Sequence, residues 1–138
     1  MRIVVSACLL GENCKYSGGN NLNQAVVDFV RGHEVIPVCP ERRCGMPAPR
    51  PRVEILHGRL IDEFGKDVDA LYRRGVADTI ADLGDKPIDL AILQPRSPTC
   101  GVHEVYDGTF SGRRVPGQGA LAEALGKMGV ALKEQDEL

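Results

Sequence analysis

Short unbroken apolar runs alternate along this chain with longer stretches in which apolar residues recur every three to four positions. The runs cover residues 2–7, 34–38 and 89–93. Their length, β-branched content and bounding turn residues predict buried strands. Leu22, Ala25, Val26, Phe29 and Val30 mark a first helix, opened by an Asn21/Gln24 capping box and stopped by Gly32. Phe64, Val68, Leu71, Val76, Ile80 and Leu83 mark a second, ended by Gly84-Asp85-Lys86-Pro87. Leu121, Ala124, Leu125 and Met128 mark a third, stopped by Gly129 and followed by a fourth strand at 130–132. Residues 53–56 and 59–61 flank His57-Gly58 and predict a small hairpin. The Gly- and aromatic-rich segment 101–116 predicts an irregular hairpin or binding loop, and the acidic end from Glu134 a frayed tail.

Alternation of this kind predicts an α/β fold, a Rossmann-like three-layer sandwich with a mostly parallel sheet of about four strands plus the hairpin. The expected strand order is 2-1-3-4, which leaves a ligand crevice at the carboxyl ends of the strands where the order reverses. One domain over residues 1–138 accommodates all of it.

Composition narrows the function. Hydrophobic residues make up 43% of the chain and charged residues 26%, an ordinary globular balance. A formal net charge of -2 argues against general nucleic-acid binding. It leaves open a local anion site at Arg42, Arg43, Arg50 and Arg52, which equally suit a solvated loop. No run approaches the ~20 apolar residues of a membrane span, and the opening residues lack the regions of a signal peptide. The expected compartment is the cytoplasm, with no membrane partner. Nothing in the pattern sets an oligomeric state. Five cysteines in a reducing compartment point to metal binding or catalysis rather than disulfides.

Cys8, Cys39 and Cys100 each follow one of the three apolar runs, so their thiols should meet above the sheet. Thiolates suit zinc or iron–sulfur clusters. The closed Cys-x-x-Cys pairs of a structural zinc site are absent, and three thiolates leave one coordination position open for a substrate. Against this, free cysteine also serves as a small buried hydrophobe. Glu41, two residues past Cys39, could act as a general base, and Ser97, three before Cys100, could orient substrate or relay a proton. Each also suits a plain role, as a surface charge or a turn cap. A phosphate loop is disfavoured, since Cys14 stands where a Cys-x5-Arg motif needs its arginine. A non-catalytic metal- or cluster-binding module is the alternative from another class.

Three Cys-centred stretches carry a resemblance: Ser6-Ala7-Cys8-Leu9-Leu10-Gly11, Pro37-Val38-Cys39-Pro40-Glu41 and Ser97-Pro98-Thr99-Cys100-Gly101. Together with Pro47-Ala48-Pro49-Arg50-Pro51 and the segment from Tyr106 to Gly112, they resemble the thiouracil desulfidase-like family over almost the whole chain. The resemblance implies a [4Fe-4S] cluster held by Cys8, Cys39 and Cys100, with zinc as an alternative occupant. It further implies non-redox desulfuration of a small thiolated pyrimidine, with sulfur taken up by the open iron acting as a Lewis acid. Thionucleosides or thiolated tRNA are the alternative substrates. Glu41 and Ser97 match catalytic positions, and Arg50 and Tyr106 are expected at the substrate. Lys15, Ser17 and Gln94 depart from the residues common in that family, and Cys14 and Cys44 are read as loop thiols. His103 is expected at the surface.

Overall fold

The computed structural model describes residues 1–138. In chain order the elements are β1 (Arg2–Ser6), α1 (Gln24–Val30), β2 (Glu34–Val38), α2 (Pro40–Arg43), β3 (Val53–Leu56), β4 (Arg59–Asp62), α3 (Asp69–Asp82), β5 (Leu90–Leu93), β6 (Glu104–Tyr106), β7 (Arg114–Pro116), α4 (Ala120–Lys127) and β8 (Ala131–Glu134). Short 3-10 turns occupy Ala7–Leu10 and Gln135–Glu137.

The main sheet is parallel throughout and ordered β2-β1-β5-β8. Numbered among themselves its strands run 2-1-3-4, as the pattern predicts. Ile3 pairs with Val35 on one side and Leu90 on the other, so β1 is a central strand. Its pleat sends alternate side chains to opposite layers. Ile3 and Val5 pack with Leu9, Val26 and Val30 on the α1 side. Val4 packs with Val76, Ala91, Leu121 and Leu125 on the side of α3 and α4. Leu121 and Leu125 are fully buried, each contributing about 1.5–3 kcal/mol. β3–β4 and β6–β7 form two antiparallel hairpins outside the sheet.

Four local expectations are corrected. The cap of α1 is Asn23, whose side chain accepts from the Val26 N–H at 3.1 Å; Asn21 points elsewhere. The helix expected from Phe64 begins at Asp69. Asp62 Oδ1 accepts from both Phe64 and Lys66 N–H groups at 2.9 Å, wrapping the chain into a turn that leaves Phe64 79% exposed. Arg42 and Arg43, read as part of an anion site or a solvated loop, stand in one helical turn, α2. The tail is ordered rather than frayed: Glu134 and Glu137 form a reciprocal capping box, and Glu134 Oε2 accepts from Val102 N–H at 3.2 Å.

Candidate active site

Each of the three thiols stands where a strand ends. After Ser6 the chain tightens into the turn carrying Cys8, and Gly11, at φ 94°, lets it leave. Cys39 caps α2, with Pro40 in the first helical position and Glu41 in the first turn. Gly75 of α3 allows this turn to lie flat on the long helix, since a side chain there would strike the Pro40 carbonyl and the Cys44 Cβ. Beyond β5, Ser97 Oγ accepts from the backbone N–H groups of Thr99 and Cys100 at 3.2 and 3.1 Å. That turn presents Cys100. A Cβ on Gly119 would lie 2.7 Å from the Cys100 nitrogen, so the start of α4 can press against the turn only as glycine.

Cys8, Cys39 and Cys100 all line one cavity of about 420 Å³, at the carboxyl ends of the strands. Glu41, Ser97, Arg50 and Tyr106 line the same cavity, so the residues expected as ligands, catalytic groups and substrate contacts are brought together there, whereas Arg42 and Arg43 are not. Cys39 Sγ lies 3.7 Å from Glu41 Oε2 and 3.8 Å from the Cys14 carbonyl. Arg50 Nη2 is 3.8 Å from Glu41 Oε2 and donates to the Cys14 carbonyl at 2.8 Å. Its Nη1 donates to the Pro47 carbonyl at 3.2 Å. The Arg50 side chain is only 4% exposed. The remaining arginines of the basic group are spread among separate ion pairs: Arg42 with Glu12, Arg43 with Asp82 and Arg52 with Glu63.

The neighbours missed in the sequence are those that touch sulfur. Asn21 Nδ2 donates to Cys8 Sγ at 3.8 Å, and Lys15 Nζ donates to Asn21 Oδ1 at 3.0 Å. Thr99 Oγ1 donates to Cys100 Sγ at 3.7 Å and is itself 3.2 Å from Ser97 Oγ. Cys14 is no peripheral loop thiol: it is buried and lines the cavity next to Cys39. Its place after the 3-10 turn that follows β1 was the available signal. Cys44 stays outside the cavity lining, bonded to the Glu41 carbonyl at 3.0 Å. His103 is exposed and 2.7 Å from Glu137, as its surface reading anticipated.

Protonation follows burial. Desolvation pushes the Cys8 thiol up and Cys100 up to about 12, the latter helped by Glu41. Cys39 lies well above the ordinary thiol range through its contact with Cys14, then burial and Glu41. In the protein alone these are neutral thiols, and coordination to a metal would release their protons. The donor set fits an iron–sulfur centre: three soft sulfurs from separate segments, side-chain donors to two of them, and open cavity beyond.

Fold and cavity together define a Rossmann-like α/β protein with a thiol-lined pocket at its strand ends. The chain belongs to the 2-thiouracil desulfurase family, whose model matches residues 3–137. It is similar to the uncharacterized protein YbbK of Bacillus subtilis (strain 168), at 32% identity over 146 residues covering 99% of this chain and 97% of that protein. Among solved structures it is similar to the [4Fe-4S]-dependent thiouracil desulfidase TudS, with TM-score 0.89 and 32% identity, over 99% of this chain and 92% of that one. No helix is long and apolar enough to cross a membrane.

Proposed function

We propose that this protein removes sulfur from a thiolated pyrimidine such as thiouracil, releasing uracil and hydrogen sulfide with the aid of a [4Fe-4S] cluster. The observation that carries this reading is the meeting of Cys8, Cys39 and Cys100 in one cavity with the Glu41 carboxylate beside them. These three cysteines would hold the cluster. When bound, it supplies an iron without a protein thiolate, a soft Lewis acid for a thiocarbonyl sulfur.

The chain's own groups account for the rest. Water adds to the ring carbon bearing sulfur, a C–O bond replaces the C–S bond, and sulfur departs as hydrogen sulfide. No electron is transferred. Glu41 takes the proton from the attacking water, with the Arg50 guanidinium 3.8 Å from its carboxylate. Ser97, already accepting two backbone N–H bonds, has its hydroxyl proton available to Thr99 or to the substrate. Arg50 and Tyr106 wall the ring. Lys15, Arg52 and Arg96 also line the cavity and favour a second reading in which the substrate is a thionucleoside or thiolated tRNA base.

Anaerobic purification tests the desulfuration reading, and sulfide release from a thionucleoside in place of thiouracil tests the second. Expected are a brown protein carrying iron and sulfide in equal amounts, and sulfide release from thiouracil. A colourless protein holding one zinc, with no turnover, would favour a non-catalytic module.

A further inference from the structure

Gln94 is the first residue past β5, and its backbone N–H donates to Ser6 Oγ at 3.0 Å. That bond ties the end of β5 to the end of β1, where strand order reverses and ligands bind. The Gln94 side chain lines the thiol cavity. Its Oε1 is sealed from solvent and has no hydrogen-bond partner in the protein. An unpaired buried acceptor is costly, and native proteins keep few of them. Of the other candidates, Arg2 Nε faces Glu34 Oε2 at 2.8 Å, and Gln135 Oε1, also unpaired, belongs to a residue that does not line the cavity.

Three polar groups of the same cavity are committed to other bonds. Ser97 Oγ serves the turn before Cys100, Asn21 Nδ2 reaches Cys8 Sγ, and Arg50 is held by two backbone carbonyls. Because the Gln94 side chain lines the cavity, a ligand that turns it outward can supply the missing donor. A carboxamide offers one acceptor and two donor hydrogens in a plane. Its complement is a ring N–H beside a ring C=O, the edge that a pyrimidinone presents. A charged side chain at this position would instead select for ionic groups.

We propose that Gln94 reads the N–H/C=O edge of the substrate ring, Oε1 accepting the ring N–H and Nε2 donating to the adjacent oxygen. Gln94 is then a specificity-determining residue that demands a free ring N–H at that edge. The inference rests on the desulfuration reading and deepens it: alkylation of that nitrogen abolishes good binding, whereas substituents elsewhere on the ring are not seen by Gln94.

The test is a cycle in protein and ligand, read by calorimetric binding to the anaerobically prepared, cluster-loaded protein. The ligands are uracil, 1-methyluracil and 3-methyluracil. The natural chain should bind one of the two methylated rings about tenfold or more weakly than uracil. In Gln94→Ala that discrimination should shrink to about threefold or less, mainly through weaker uracil binding. Gln94→Met, uncharged and of similar length but without either amide group, should lose it as well, and decides the matter if the alanine variant loses iron. In turnover, Gln94→Ala should raise KM for thiouracil more than it lowers kcat. Equal binding of all three rings by the natural chain, or unchanged discrimination in Gln94→Ala, overturns the proposal while thiouracil turnover stands. A natural chain that loads iron yet neither binds uracil nor releases sulfide overturns the desulfuration reading, and this inference with it.

Discussion

The two walls of the cavity treat sulfur differently. On the wall built by the ends of β1 and β5, Cys8 receives the Asn21 amide and Cys100 the Thr99 hydroxyl. On the wall built by α2, Cys39 stands beside two acceptors, Glu41 Oε2 and the Cys14 carbonyl. Side-chain donors favour a sulfur carrying negative charge, and a neighbouring carboxylate opposes it. The first wall is therefore organised to hold anionic sulfur. The second combines a ligand position with a carboxylate suited to proton transfer. Under the proposed function, holding and reacting are divided between the walls, and the division can be broken experimentally.

The largest effect should come from the thiols. Serine at Cys8, Cys39 or Cys100 should leave the purified protein with little iron and no measurable sulfide release from thiouracil, by metal analysis and a sulfide assay. Serine at Cys14 or Cys44 should keep most of the iron. Loss of iron in Cys14→Ser would add a fourth sulfur to the holding set and erase the contrast between the walls. Next in size, Glu41→Gln should keep the iron and lower kcat by about 10²–10⁴-fold, the usual worth of a positioned base. Full activity would reduce the second wall to another holding surface.

The holding wall was legible in the sequence because its determinants are local. Apolar runs give strands, strand ends give the crevice, and a cysteine after each run gives the thiols. The details at each sulfur were not legible. Asn21 and Asn23 both precede α1 within three residues, and a capping rule alone does not decide which asparagine turns inward to Cys8. The turn α2 spans four residues, too few for a helical period to register. Phe64 keeps helical spacing with the apolar residues after it, but the Asp62 carboxylate captures the backbone first. The ordered tail depends on partners at Val102 and His103, about thirty residues away.

A smaller effect should separate the support of Glu41 from the chemistry of Glu41. Arg50→Ala removes the donors to the Cys14 and Pro47 carbonyls inside a side-chain site only 4% exposed. Leaving such acceptors unpaired should cost about 1–3 kcal/mol of stability by denaturant unfolding. Because the same guanidinium lines the cavity, KM for thiouracil should rise as well. Unchanged stability with a raised KM would make Arg50 a passive substrate contact. Unchanged KM with lost stability would make it a scaffold for the second wall.

The smallest effect concerns what stands behind the first wall. Glu134 Oε2 accepts from Val102 N–H, two residues past Cys100, and His103 pairs with Glu137 to hold the same tail. The bond to Glu137 raises the His103 imidazole above its ordinary 6.5, with Glu134 and Asp136 adding to the rise. Glu137 is held below its ordinary 4.5, first by the Glu134 N–H and then by His103. A raised imidazole contributes stability that is complete below 6.5 and is lost as pH climbs through the folded value. The lowered carboxylate contributes above 4.5 and loses its share as pH falls through its own folded value. Between 4.5 and 6.5 both contributions stand. His103→Ala should therefore lower Tm slightly at about pH 6 and leave it nearly unchanged at about pH 9. Both groups are solvent-exposed, so the gap is small and should narrow further in high salt. If iron retention follows the same pH dependence in the natural chain and loses it in the variant, the tail clasp helps fix the turn that presents Cys100. If Tm shifts while iron retention does not, the first wall holds its sulfur through Ser97 and Thr99 alone.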